Sequence, residues 1–318
     1  MKVPQEIRAS VDLEVELLNL EAHIDPAQPE SGGGVRVLGY GEISTALVLD
    51  ARPDLVCKRM AGFVSDAEAE QYASALGDYL AELRGHGVAV ADTQLALIRS
   101  QQGLPIAYLV QPLLPPAGLA SNLLRDSPLE HVLLAVSAVL KTVQQLLESN
   151  ARRTDGREVA IDAQLSNWWF ADGRLDNPTL LDVGTPFMRR DGVDECGTEF
   201  FLAPVPWVLR WYYRRTRAVQ RYIDDYFIPR ALALDLLGNF HKEGRPERIA
   251  AVLPVVNDWL TGTMGERAGI SEKEVDDYYR RDAADLELYL RVRRVDRWLK
   301  KRVFRQQYPF ILPGPIQR

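Results

Sequence analysis

Two short segments combine the residue types needed to move a phosphoryl group from a nucleoside triphosphate. Asp162-Ala163-Gln164-Leu165-Ser166-Asn167 precedes Leu180-Leu181-Asp182-Val183-Gly184, so Asn167 stands five residues after Asp162 and Asp182 fifteen after Asn167. The runs Trp168-Trp169-Phe170 and Thr179-Leu180-Leu181 have strand character and can close a hairpin around Gly173. Its ends would bring an amide oxygen (Asn167) and a carboxylate (Asp182) together. That donor set suits Mg2+, which takes few protein oxygens and completes its shell with phosphates and water. Asp162 would lie near an acceptor hydroxyl and take or orient its proton. Asp and Asn are also ordinary turn formers, so each residue taken alone has that simpler use.

A second set lies upstream. Gly39-Tyr40-Gly41-Glu42-Ile43-Ser44 falls between two strand-like runs, where glycines let backbone amides approach phosphate oxygens. Lys58 closes the strand Leu55-Val56-Cys57-Lys58 and is placed to hold α- and β-phosphates. A carboxylate partner for Lys58 would come from the following helix. Glu68 lies near the apolar face set by Tyr72 and Tyr79, and Glu70 falls toward the opposite face. Glu68 also completes a capping box with Ser65, and both carboxylates remain candidates.

The elements that must position these groups follow from periodicity. Residues 35–60 read as strand, glycine turn, strand, tight turn at Ala51-Arg52-Pro53-Asp54, and strand. Tyr72, Leu76, Tyr79, Leu80 and Leu83 recur at helical spacing over residues 66–84, which Gly85 and Gly87 end. Residues 88–113 return to strand character, and Pro112, Pro115 and Pro116 break it. Residues 129–149 form an amphipathic helix, and the chain is helical nearly throughout after about residue 205. A small β-rich N-terminal half and a larger helical half therefore meet near residues 111–118. Residues 1–34 read as an extension, with a helix around Val11–His23 and the breaker cluster Asp25–Gly34.

The chain has 318 residues, 47% apolar and 26% charged, with a formal net charge of −6. That composition excludes a disordered tail, a collagen-like chain or a disulfide scaffold. The acidic balance argues against wholesale nucleic-acid binding. The N-terminus lacks the apolar run of a secretory signal, and no run approaches a transmembrane segment. With two cysteines, Cys57 and Cys196, and four scattered histidines, a zinc site is not expected, and the expected location is cytoplasmic.

These segments, in this order over residues 35–205, resemble the protein-kinase-like superfamily, which includes eukaryotic-type protein kinases, aminoglycoside phosphotransferases and choline kinases. Gly39–Ser44 resembles the glycine-rich loop, Cys57-Lys58 the strand bearing the ATP lysine, Asp162–Asn167 the catalytic loop, and Asp182-Val183-Gly184 the metal-binding segment. The resemblance implies an α+β, bilobal fold: a small antiparallel-sheet N-lobe (35–111) with one main helix, and a larger, mostly helical C-lobe (112–318). It implies ATP and Mg2+ as cofactors. Gly39, Tyr40, Gly41, Glu42, Ser44 and Lys58, with Glu68 or Glu70, would surround the nucleotide, and Gln111 and Leu113 would meet it at the hinge. Asn167 and Asp182 would be the metal ligands and Asp162 the base. The acceptor would be a hydroxyl of a small molecule or peptide.

Two departures stand out. Ser44 replaces the third glycine of the loop, and Ala160 stands where a histidine is usual two residues before Asp162. The alternative is a pseudokinase, a nucleotide-sensing or interaction module. Gly197–Pro204 resembles the end of an activation segment, and the acceptor pocket would lie in the helical half near Asp194–Glu199 and the aromatic stretch from Trp207 to Phe227. In the basic stretch Leu290–Arg305, eight basic residues face one acidic residue. It reads either as a docking surface or as the solvated face of a terminal helix with Leu288, Val292, Val295 and Leu299 packed inward.

Overall fold

Alternating apolar residues between positions 35 and 112 build one five-stranded antiparallel sheet: β1 (Val35–Tyr40), β2 (Ser44–Leu49), β3 (Arg52–Gly62), β4 (Gln94–Arg99) and β5 (Pro105–Pro112), in the order β1-β2-β3-β5-β4. The period of two divides the sheet's side chains between two cores. Leu95, Leu97, Ala107 and Leu109 face the main core, and Ala96, Ile98, Ile106, Tyr108 and Val110 face a second, outer core. The computed structural model describes residues 1–41, 43–171, 173–196, 202, 205, 210–211, 215–216, 218–303, 305, 308 and 310–312.

The mixed α+β class, with a small antiparallel sheet followed by a mostly helical part, is as expected. One local expectation is corrected. The turn between β2 and β3 falls at Asp50-Ala51, with Leu49 opposite Arg52, and Pro53 and Asp54 lie inside β3. Proline is tolerated there because it sits at the start of the strand.

Helix α2 (Asp66–Gly85) crosses the inner face of the sheet. Ala69, Tyr72, Ala73, Leu76, Tyr79, Leu80 and Leu83 are buried at helical spacing. Helix α1 (Val11–His23) covers the outer face, with Leu13 and Leu17 in the second core. Its Glu21 meets Arg59 of β3 through bonds of 2.6 and 3.2 Å and also accepts from the Tyr108 hydroxyl of β5. All three side chains are buried. Residues 1–34 are thus built into the sheet lobe by a charged clamp.

Past Pro112 the chain forms α3 (Ala120–Asp126) and α4 (Leu129–Arg152). Helix α4 is long and apolar enough by length and composition alone to cross a membrane, but Val132, Val136, Val139, Leu140, Val143 and Leu146 bury one side of it in the main core. Two small sheets follow: β6 (Arg157–Val159) with β9 (Met188–Arg190) and β10 (Val193–Asp194), and the hairpin β7 (Trp168–Phe170) with β8 (Pro178–Leu180). Helices α5 (Ala218–Asp225), α6 (Pro229–Lys242), α7 (Ile249–Asn257) and α8 (Glu272–Arg302) complete the helical half. Tyr308, Phe310 and Leu312 cluster together, and Ile311 joins the outer core of the sheet.

The inward set expected for the end of α8 is also corrected. Leu288 and Val295 are 60% and 57% exposed, and the buried residues are Leu290, Arg293 and Asp296. The buried polar pair is tolerated because its groups are satisfied. Arg293 donates to the Tyr308 hydroxyl at 3.4 Å and lies over the rings of Tyr289 and Phe310, and Asp296 pairs with Lys300.

Removing one partner of a buried pair leaves an uncompensated charge. Glu21→Ala should therefore lower stability by about 3–5 kcal/mol in chemical denaturation. Burial pushes the Cys57 and Cys196 thiols up to about 12. Iodoacetamide at about pH 8 should leave both unlabelled in the folded chain and label both in guanidinium, as read by intact mass.

Candidate functional site

The β7–β8 hairpin pairs Trp168 with Leu180 and Phe170 with Pro178. Just beyond it the Leu181 amide donates to the Asn167 carbonyl at 2.8 Å. The hairpin ends therefore hold Asn167 beside Leu181-Asp182. Lys58 reaches the same place from β3. It pairs with Leu109 across the ladder, on the strand face that looks into the main core. Its Nζ donates to the Leu181 carbonyl at 2.9 Å and lies 3.4 Å from Asp182 Oδ1, across 124 positions of sequence. The Lys58 side chain is mostly buried and that of Asp182 is half exposed, so the carboxylate reaches solvent.

Gln111 of β5 adds a third strand to this junction. Its Nε2 donates to the Leu181 carbonyl and to Thr93 Oγ1, both at 2.9 Å. The Leu113 amide donates to the Asp54 carbonyl at 2.7 Å, which commits that hinge group to the sheet. Gly39 and Tyr40 end β1, and Ser44 begins β2 after a turn in which the Gly41 amide donates to the Ser44 carbonyl at 2.8 Å. Where a Cβ on Gly39 would project, no atom lies within 4 Å. Glu42 lies outside the described residues, as do Gly197–Phe201 and most of Trp207–Tyr213.

Neither acidic candidate on α2 meets Lys58. Ser65 Oγ caps the helix by accepting from the Glu68 amide at 3.2 Å, but the Glu68 carboxylate accepts from the Val64 amide at 2.8 Å instead of the Ser65 amide, so the expected box is only half formed. Glu70 accepts from the Lys2 amide at 2.8 Å. What ties α2 to the site is a pair of tyrosines. The Tyr72 hydroxyl donates to the Gly184 carbonyl, and the Tyr79 hydroxyl to the Ala160 carbonyl, each at 2.8 Å. Burial holds both phenols well above their usual range, so they act as neutral donors. The sequence signal was available: a tyrosine on a buried helix face needs a partner for its hydroxyl.

Side chains from two other helices hold the loop bearing Asp162. Asn150 of α4 brackets Val159, donating to its carbonyl at 2.7 Å and accepting from its amide at 3.0 Å. Asn239 of α6 accepts from the Ser166 amide at 3.2 Å. Asp162 itself accepts from the Gln164 amide at 2.9 Å, and Gln164 Nε2 donates to Asp235 of α6 at 2.8 Å. Asp235 also accepts from the Tyr278 hydroxyl at 2.9 Å, and Lys242 lies between Asp235 and Asp282 at 3.7 and 3.3 Å. Burial raises the Asp162 carboxyl well above the usual range and the charge of Asp235 adds to this, while the Gln164 amide opposes it. Sequence reasoning missed Asn150, Gln164, Asp235, Asn239 and Tyr278, because their spacing carries no sign of a common destination.

Among the described residues, no group of three or more His, Cys, Asp or Glu is arranged to hold a metal. The Asn167 amide oxygen and the half-exposed Asp182 carboxylate would offer a metal a hard, two-oxygen donor set. That set fits Mg2+ bound with phosphates and water better than a softer ion held by protein alone.

The model of a family described as a family of unknown function, DUF6206, matches residues 19–297. No curated protein matches the chain. The solved GDP and kanamycin complex of APH(2")-IIia is similar over 73% of this chain and 94% of that one, at 12% identity and a TM-score of 0.31. WbdD in complex with the kinase inhibitor LY294002 is similar over 65% of this chain and 44% of that one, at 16% identity and a TM-score of 0.28. Both likenesses are distant.

Tyr79→Phe keeps the buried ring and strips the Ala160 carbonyl of its donor. Urea unfolding should show a loss of about 1–3 kcal/mol.

Proposed function

We propose that this chain, which belongs to the DUF6206 family, a family of unknown function, is an ATP- and Mg2+-dependent phosphotransferase acting on a hydroxyl of a small molecule or peptide. The observation that carries this reading is the meeting of Lys58 with Asp182, next to the Asn167–Leu181 backbone bond, from segments far apart in sequence. A lysine and a carboxylate in contact, with an asparagine on the neighbouring residue pair, are residue types that phosphoryl transfer uses, because its catalysis is mostly alignment and charge neutralisation.

In this reading Lys58 turns from Leu181 and Asp182 to the α- and β-phosphates. The backbone at Gly39 and Gly41 covers the phosphates, and the open space at Gly39 supports that role. Mg2+, held by Asn167 and Asp182, would neutralise phosphate charge. Asp162 orients the acceptor hydroxyl and takes its proton. The acceptor oxygen bonds to the γ-phosphorus as the bond to the β–γ bridging oxygen breaks, which releases ADP. Burial raises the Asp162 carboxyl above its ordinary value, which makes its ionised form a stronger proton acceptor. The Tyr79 hydroxyl on the Ala160 carbonyl supports the loop where the superfamily's histidine is missing.

A second reading, a nucleotide sensor without turnover, has one observation in its favour. Glu68 is spent on the Val64 amide and Glu70 on the N-terminal segment, so α2 brings no carboxylate to Lys58.

Two measurements separate the readings. ATP with Mg2+ should raise the unfolding midpoint of the wild type and leave that of Asp182→Ala unchanged. ATP-to-ADP turnover with a panel of hydroxyl acceptors should fall about 10²–10⁴-fold in Asp162→Ala. Magnesium-dependent stabilisation without turnover by the wild type would favour the sensor. Turnover that is the same in wild type and Asp162→Ala would remove Asp162 from its role.

A further inference from the structure

In the C-terminal half of α8 two polar residues turn inward beside Leu290, and several apolar residues face outward. Leu288, Val295 and Trp298 are 60%, 57% and 58% exposed, while Arg293 and Asp296 are buried. Leu288, Arg291, Val295, Trp298 and Arg302 follow one another at intervals of three and four. At about 100° per residue they form a single ridge within an arc of roughly 80°. Arg294 and Lys301 flank the ridge on one side, and Leu299 and Val303 on the other. Between Arg291 and Arg302 stand seven basic residues and one acidic residue, of which Arg293 and Asp296 are buried, and Arg291 pairs with the exposed Glu287, in a chain whose net charge is −6. Val303, just past the helix, is also exposed. A surface helix normally spends its apolar side on the core, and this one leaves part of it unspent.

We propose that this ridge docks the protein peripherally on an anionic lipid bilayer, independently of any phosphoryl transfer. The chemistry selects that partner. Positive charge concentrated on one helix end of an acidic chain is complementary to anionic headgroups. Apolar side chains set among the charges, with a tryptophan in the row, match the boundary between headgroups and acyl chains. A second copy of the chain is a poor occupant, because Arg291 and Arg302 stand in the same row and would meet their own counterparts. A nucleic acid offers phosphates but no apolar layer for Leu288 and Val295. The ridge is also held rigidly. Arg293 anchors the inner side of the helix to Tyr308 and Phe310, and the neighbouring Ile311 sits in the outer core of the sheet.

Co-sedimentation of the full chain with vesicles tests this. The wild type should bind phosphatidylcholine vesicles containing about one third phosphatidylglycerol, release as salt rises, and ignore phosphatidylcholine alone. Trp298→Ala and Val295→Ser should each weaken partitioning roughly tenfold, and Arg302→Glu should weaken it by about the same factor. All three sites are exposed, so unfolding midpoints should not change. The proposal is overturned if anionic vesicles fail to retain the wild type, or if neutral vesicles retain it equally. It is also overturned if Trp298→Ala binds anionic vesicles as well as the wild type does, the signature of charge alone. A dimer in light scattering that Trp298→Ala dissolves would assign the ridge to a second copy instead.

Discussion

From Val159 to Gly184 the chain passes beneath the sheet lobe with little regular structure, and much of it is buried. Backbone amides and carbonyls in such a place must find partners other than a ladder. The partners here are side chains from three helices and two strands: Asn150 on Val159, Tyr79 on Ala160, Asn239 on Ser166, Lys58 and Gln111 on Leu181, and Tyr72 on Gly184. Each of these bonds satisfies a buried group and at the same time fixes where a candidate reactive residue stands. Packing and site geometry are therefore one constraint in this protein.

Helix α2 carries the largest share of that constraint. Its apolar stripe packs under the sheet, and its two tyrosines reach into the helical half, so one main core runs through both halves of the molecule. The outer face of the sheet is closed differently. A buried glutamate, arginine and tyrosine join α1 to β3 and β5, and such an arrangement is tolerated only with every charge matched. The electrostatics near Asp162 follow the same rule with the opposite sign. Asp162 and Asp235 share a poorly solvated region through Gln164, and the amino group of Lys242 only partly offsets their charges.

Much of the framework was legible in the sequence because its causes are local. Alternation divided the strands into two faces, the Ser65–Glu68 spacing marked the start of α2, and the runs flanking Gly173 formed the hairpin that sets Asn167 beside Leu181. Local rules also erred where two of them competed. Pro53-Asp54 looked like a turn, yet the register of β2 with β3 put the turn at Asp50-Ala51. Glu68 could cap its helix or face Lys58, and the nearby Val64 amide won its carboxylate. Leu288 and Val295 have the spacing of a buried stripe, but Tyr308 and Phe310 drew the Arg293 side of the helix inward.

The sequence by itself determined the α+β class, the order of the elements and the residue types able to handle phosphate, because periodicity, capping and turn chemistry act over a few residues. Only the tertiary structure decided that Lys58 reaches Asp182, that Tyr79 supports Ala160, that Gln164 links Asp162 to Asp235, and which side of the last helix faces out. Those contacts join residues tens to more than a hundred positions apart. They exist because buried polar groups must be paired, and which groups become buried together is known only once the whole chain has packed.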